Sequence, residues 1–297
     1  MSITPANLNL RARQERRTHT PSATEAQLII GDARKELRQF ADQTFQCCVT
    51  SPPYWGLRDY DIKGQIGAET KVDDYLADLV AVFREVRRTL RDDGTLWLNI
   101  GDSYTSGGRT WRDTDDKNPA RGMSYRAPTP DGLKPKDLIG VPWRLAMALQ
   151  ADGWYLRADI IWHKPNCQPE SVKDRPTRSH EYVFLLSKSE QYLYDHEAIK
   201  EPTTSGEGAR NRRTVWSINT EPYSGAHFAV FPAELVHLCV LGGSKPGSVV
   251  LDPFMGSGTT GAVSLSTGRH FVGIELKPDY AELARQRLYG QTAGLPL

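Results

Sequence analysis

Ser51-Pro52-Pro53-Tyr54 sets a hydroxyl, two rigid imides and an aromatic ring directly behind the apolar run of residues 45–49. Proline has no N–H, so Pro52 and Pro53 present carbonyls without competing donors, and they stiffen the corner. The Ser51 hydroxyl accepts as well as donates. Tyr54 supplies a ring face for stacking. This set suits a flat heterocycle carrying an –NH2 group. The lone pair of such an amine is delocalised into the ring, which makes it a poor nucleophile. Acceptors on both hydrogens draw the nitrogen toward tetrahedral geometry and aim its lone pair at an electrophile, so that positioning supplies most of the rate. A plain loop, or an exposed ligand for a proline-recognising domain, is the bland alternative for Pro-Pro-Tyr.

A second corner lies two hundred residues later, in residues 252–261, DPFMGSGTTG. It follows a strand-like run and opens a helix-like one. Gly256, Gly258 and Gly261 fit GxGxxG, and Glu275 ends the next strand-like run about twenty residues on, as a dinucleotide fingerprint asks. Glycines let backbone approach a ligand, and an acid at the second strand tip accepts from ribose hydroxyls. The motif points to an adenosine-type ligand. No Lys-Ser/Thr follows the glycines, which argues against a P-loop. A nicotinamide-dependent oxidoreductase is a rival reading. Against it, the turn opens on Asp-Pro-Phe and sits late in the chain.

These corners need a frame. The chain alternates strand and helix patterns, which predicts an α/β sheet with helices on its faces. Strands are expected at residues 26–32, 45–50, 95–100, 155–163, 180–188, 248–254 and 270–276. Residues 73–90 place Leu76, Leu79, Val80, Phe83, Val86 and Leu90 on one helical face, with Asp73 or Asp74 as cap. Asp93-Gly94 reads as the turn into the third strand. Further helices are expected near residues 142–150, 232–243 and 278–290. Ligands of open α/β sheets lie outside the carboxyl ends of the strands. Both corners sit at such ends, so one shared site is expected.

The chain resembles the S-adenosylmethionine-dependent DNA amino-methyltransferases. The resemblance is carried by SPPY at residues 51–54, DPFMGSGTT at 252–260, AHFAVFP at 226–232, and the blocks at 160–186 and 212–220, over roughly residues 26–289. Catalytic motif first and cofactor motif last is the order of the circularly permuted beta class. The resemblance implies a Rossmann-like methyltransferase fold, with a mostly parallel seven-stranded sheet and helices on both faces. It implies that Ser51, Pro52 and Pro53 hold the target amine and that Tyr54 stacks on the base. Phe254, Gly256 and Gly258 would line the methionine side of the cofactor, with Asp252 and Thr259 in the same motif. Glu275 would bind its ribose, Asp32 would approach the adenine, and Phe231 and Pro232 would close the pocket. A strand-end Asp is also a common helix cap. Serine at the head of the motif is more typical of N4-cytosine enzymes, and aspartate of N6-adenine enzymes. A 5-methylcytosine product is not expected, because none of Cys47, Cys48, Cys167 and Cys239 follows a proline.

The substrate implied is double-stranded DNA, with the target base flipped out. The formal net charge is only +1, so DNA contact must come from local patches. Two irregular insertions, at about 103–137 and 164–226, carry them. Arg109, Arg121 and Arg126 are the candidates in the first, and Lys173, Arg175, Arg210, Arg212 and Arg213 in the second. Residues 1–24 read as a flexible tail and residues 25–297 as one catalytic domain. No CxxC or Cys/His cluster suggests a metal site or disulfide framework, and no apolar run is long enough to span a bilayer. A cytoplasmic protein without a metal is expected. Dimers are common in the family, and a cognate restriction endonuclease is a companion the sequence neither shows nor excludes. A catalytically silent DNA-binding protein is the remaining alternative.

Overall fold

The computed structural model describes residues 25–60, 62–106, 127–221 and 231–290. The readings of Arg109, Arg121 and Arg126, and of the tail 1–24, lie outside these residues.

The centre of the fold is β2, Phe45–Thr50, in which every residue is buried. Such a strand is covered on both faces and has no polar side to alternate with. Its side chains still alternate in direction. Cys48 packs with α1 (Ala33–Glu36), α2 (Val72–Thr89) and α3 (Val141–Ala151), while Cys47 and Val49 pack with α4 (Ala233–Gly243). The neighbouring β3, Leu90–Ile100, repeats this. Leu96, Leu98 and Ile100 join the first core and Trp97 the second.

The main sheet runs β1-β10-β9-β2-β3-β5-β4-β8. Here β1 is Ala26–Ile30, β4 Tyr155–His163, β5 His180–Ser187, β8 Val215–Ser217, β9 Val249–Asp252 and β10 His270–Glu275. Among these strands only β5 runs against the rest. Helices α5 (Thr259–Ser266) and α6 (Pro278–Tyr289) follow β9 and β10. A separate two-residue pair, β6 (Glu201–Pro202) with β7 (Ala209–Arg210), lies outside the sheet.

The sheet has eight strands where seven were expected. The extra one is β8, which adds to the outer edge of β4 through Ile161–Val215 and Trp162–Trp216 pairing. It is short, and the charged run before it reads as loop; Trp216 is the buried anchor, donating its indole N–H to the Arg213 carbonyl at 2.8 Å. Two further expectations change. Asp93-Gly94 is not a turn: β3 starts at Leu90 and absorbs the polar residues as an irregularity between the Phe45–Leu90 and Cys47–Thr95 pairs. Helix α2 begins after Lys71 without a side-chain cap, and Asp73 and Asp74 sit in its first turn, where carboxylates favour the helix dipole. Its buried face also includes Tyr75 and Val82.

Candidate active site

Strands β2 and β9 are neighbours at the middle of the sheet. From β2 the chain crosses α2 to β3 on one side; from β9 it crosses α5 to β10 on the other. Strand order therefore reverses between them, which leaves a crevice beyond their carboxyl ends. Residues Ser51 to Tyr54 leave β2 there, and residues 252–259 leave β9. Both line one cleft holding about 1100 Å³ of atom-free space, its solvent-open mouth included. Asp32, Phe231, Asp252, Phe254, Gly256, Thr259 and Glu275 line it as well. Two expected residues do not. Pro232 is buried at the start of α4. Gly258, at φ 81°, opens α5 and is pressed against α6: a Cβ there would lie 3.0 Å from Ala284 Cβ. Its missing side chain serves close helix packing.

The corner at Ser51 to Tyr54 is more constrained than its sequence implies. The Tyr75 hydroxyl donates to the Pro53 carbonyl at 2.9 Å and takes one of its two lone pairs. The Ser51 hydroxyl and the Pro52 carbonyl are the other acceptors of this corner. Tyr54 donates its hydroxyl to Glu181 at 2.7 Å.

On the opposite wall, Glu275 Oε2 accepts from the Gly256 N–H at 2.9 Å and Oε1 from the Lys277 N–H at 2.8 Å. Gly256 adopts φ 53°, which glycine reaches without strain. Burial pushes the Glu275 carboxyl up, opposed by these two N–H groups. Each carboxylate oxygen keeps acceptor capacity for a ribose hydroxyl. Asp32 is indeed a helix cap, accepting from the Arg34 N–H at 2.9 Å, and it also pairs with the Arg34 guanidinium. Burial raises its pKa, but the bonds and charge of Arg34 outweigh this and the net shift is down.

Sequence reasoning missed the third wall. Leu57, Tyr60, Ile62, Gln65 and Ile66 lie on the loop after Tyr54, and Tyr280 on α6. Tyr60 and Tyr280 meet edge-on at 6.2 Å, and Lys277 Nζ donates to the Tyr60 carbonyl at 3.3 Å. The only signal was an apolar and aromatic loop too irregular to be an element. Ser257 Oγ and Gln65 Nε2, both buried on cleft residues, have no partner among the described residues. The Gln65 amide is oriented, since its Oε1 accepts from the Tyr60 N–H at 2.9 Å. A buried donor without an acceptor is costly, and an adenosyl ligand with ring nitrogens and an amino-acid tail provides one. The donor set therefore fits a nucleoside-type cofactor.

Asp252 holds the two corners together. Its Oδ1 accepts from Thr50 Oγ1 at 2.6 Å and from the Phe254 N–H at 3.1 Å, and its Oδ2 from Thr260 Oγ1 at 2.7 Å. Burial pushes its pKa up to about 6, against the pull of these three donors. The folded state thus binds its proton more tightly than the unfolded chain. The resulting stability is fully present below the ordinary value of 3.8 and is lost as pH rises through about 6. The stability difference between wild type and Asp252→Asn should therefore fall across that window, by at most about 3 kcal/mol. Thermal melts of both proteins at a series of pH values check this; a pH-independent difference contradicts it.

The expected DNA contacts carry internal partners. Arg210 and Arg213 share Glu201 Oε1 at 2.9 and 2.7 Å. Arg175 pairs with Glu170 and lies 4.0 Å from the centre of the Tyr104 ring. Arg212 donates to the Ile199 carbonyl and lies over Trp216. Lys173 is exposed. All four cysteines are free thiols. Among the described residues no His/Cys/Asp/Glu group is arranged to hold a metal, and no helix is long and apolar enough to cross a membrane.

A family model for N6/N4 DNA methylases matches residues 45–286, and so contains both corners. The chain belongs to this DNA methylase family. The methylase is 69% identical over 262 residues to the Type II methyltransferase M.SmaI of Serratia marcescens, covering 88% of this chain and 90% of that protein. It is 60% identical over 266 residues to M.Cfr9I of Citrobacter freundii, covering 90% and 88%. Among solved structures it resembles a DNA modification methylase of Thermus thermophilus in complex with S-adenosyl-L-methionine, with a TM-score of 0.65, 28% identity, and 91% and 96% of the two chains covered. It also superposes on the cytosine-N4-specific PvuII DNA methyltransferase, with a TM-score of 0.68 and 93% and 90% covered; at 21% identity that likeness shows the fold alone. The methylase is a DNA methyltransferase, and the oxidoreductase reading of its glycine turn falls.

Proposed function

We propose that this DNA methyltransferase transfers a methyl group from S-adenosylmethionine to the exocyclic N4 amine of a cytosine flipped out of duplex DNA. The observation that carries this is Ser51, a neutral hydroxyl heading the amine-holding corner, in one cleft with the glycine turn. Bound there, the cofactor supplies a methyl on a positively charged sulfonium, whose leaving group is neutral. Glu275 holds the ribose, the main-chain turn at Phe254 and Gly256 faces the methionine portion, and Gln65 and Asp32 face the adenine. Phe231 closes the cleft. Ser51 Oγ and the Pro52 carbonyl accept one amine hydrogen each, and the Tyr54 ring fixes the base plane. These two acceptors determine where the nitrogen lone pair points, beside a Pro53 carbonyl braced by Tyr75.

Lys173, Arg175, Arg210, Arg212 and Arg213 form the proposed phosphate contacts, with Arg109, Arg121 and Arg126. Arg210 and Arg213 can exchange their shared Glu201 for phosphate, since one carboxylate divided between two guanidinium groups leaves donors over. Residues 25–297 act as one catalytic unit. The Type II names of the relatives support a restriction endonuclease as companion. Methylated duplex DNA, digested to nucleosides and weighed, should yield N4-methylcytosine. Recovery of N6-methyladenine alone would refute the cytosine assignment and leave the methyltransferase standing.

A further inference from the structure

Arg34 joins three parts of the fold at the end of the cleft where Asp32 and Gln65 lie. Its Nε donates to Asp32 Oδ1 at 3.0 Å and its Nη2 to Asp32 Oδ2 at 2.9 Å, a two-pronged hold on the carboxylate that follows β1. Nη1 donates to Asp78 Oδ2 at 2.8 Å, which ties the guanidinium to α2. Nη2 also donates to the Gly64 carbonyl at 2.8 Å. Gly64 and Gln65 belong to the loop that forms the third wall of the cleft. That loop is closed at its neck, where the Gly56 N–H donates to the Gly67 carbonyl at 2.8 Å. Its outer part is held at two points, by Arg34 at Gly64 and by Lys277 at the Tyr60 carbonyl. Asp78 lies three residues beyond Tyr75 on the same face of α2. One helix thus braces Pro53 through Tyr75 and this end of the cleft through Asp78 and Arg34.

These ion pairs contribute little to stability. The side chains of Arg34 and Asp78 are 26% and 38% exposed, and water screens charges so placed. What the guanidinium supplies is geometry: a planar fork whose N–H groups point in fixed directions, which a lysine ammonium does not reproduce. Asp32 offers acceptors for an amino group, and the Gln65 amide offers a donor for a ring nitrogen. The bonds from Arg34 to Asp32 and to Gly64 set how far apart these two groups stand. We propose that Arg34, anchored on Asp78, is a positioning residue that fixes the spacing of the two walls around the nucleobase, and so determines cofactor affinity. This rests on the placement of the adenine between Asp32 and Gln65 given above. Without the guanidinium the loop has to be ordered by the ligand itself, and that ordering subtracts from binding.

Arg34→Lys tests this, because it keeps the charge and loses the fork. By calorimetry, the Kd for S-adenosylhomocysteine should rise about tenfold. The Kd for 5′-methylthioadenosine, which lacks the amino-acid tail, should rise by the same factor, since the two ligands share the adenosine. In turnover the effect should fall on the KM for S-adenosylmethionine and not on kcat. A merely structural role would lower the melting temperature and leave both Kd values alone. Asp78→Ala removes the anchor and should raise both Kd values severalfold, but should add nothing in an Arg34→Ala background. Wild-type affinity in Arg34→Lys, a loss confined to S-adenosylhomocysteine, or losses that multiply in the double variant would overturn the proposal. If Arg34→Lys does not fold, Asp78→Ala decides alone: unchanged affinity overturns it, and equal weakening of both ligands upholds it. Unchanged binding of 5′-methylthioadenosine in both Asp32→Ala and Gln65→Ala would instead place the adenine elsewhere. Weak binding in those two, beside unaffected Arg34→Lys and Asp78→Ala, sinks only the positioning role.

Discussion

Ser51→Ala is expected to lose at least about a hundredfold in turnover, the scale of deleting one preorganised hydrogen-bonding group at a reacting centre, and to bind S-adenosylmethionine as the parent does. The corner allows little compensation. Pro53 already accepts from Tyr75, prolines donate nothing, and the Tyr54 hydroxyl is directed at Glu181. With Ser51 truncated, one amine hydrogen loses its acceptor, and the nitrogen lone pair relaxes back into the ring. The cofactor wall is built from β9 and β10 and should not sense the change. Tyr54→Ala should lose turnover comparably, because it removes the stacking face. Single-turnover kinetics with saturating cofactor, beside calorimetric titration of the cofactor, measures both quantities. Unchanged methylation in the two variants would end the amine-holding account.

The second large effect falls on affinity. Glu275→Ala should weaken cofactor binding about a hundredfold or more, since it removes ribose acceptors and leaves the Gly256 and Lys277 N–H groups unpaired at roughly 1–3 kcal/mol each. Both N–H groups lie in the turns that shape the cleft, so the glycine turn loses its brace along with the ligand contact. Turnover extrapolated to saturating cofactor should recover much of the wild-type value. Calorimetry gives the affinity; a Glu275→Ala protein with normal cofactor Kd would place the ribose elsewhere.

What could be read from sequence was whatever depended on local pattern plus one rule of topology. Strand β2 was legible to the residue because a run buried on both faces shows no alternation and is closed by prolines that cannot continue it. The meeting of SPPY with the glycine turn followed from parallel strands presenting their carboxyl ends on one side. The eighth strand was illegible: three residues after a basic run carry no period, and β8 exists because β4 offers an open edge and Trp216 a buried ring. The start of β3 was misread because Asp93-Gly94 has turn chemistry, which pairing with β2 overrides. The Tyr54–Glu181 bond and the third wall of the cleft depend on contacts between residues 127 and 217 apart in the chain, which no window of sequence displays. Tyr75 shows the limit best. On a helical wheel it is one more core residue, yet its hydroxyl braces the Pro53 carbonyl of the candidate site.

For methyl transfer to occur as described, two distant corners must form opposite walls around cofactor and base. A crystal structure of the enzyme with S-adenosylhomocysteine and a duplex carrying its target tests this most directly. It should place the cofactor sulfur between the glycine turn and the extruded base, with the cytosine amine within hydrogen-bond reach of Ser51 Oγ and the Pro52 carbonyl. A cofactor lying away from Glu275, or a target amine remote from Ser51, would contradict it.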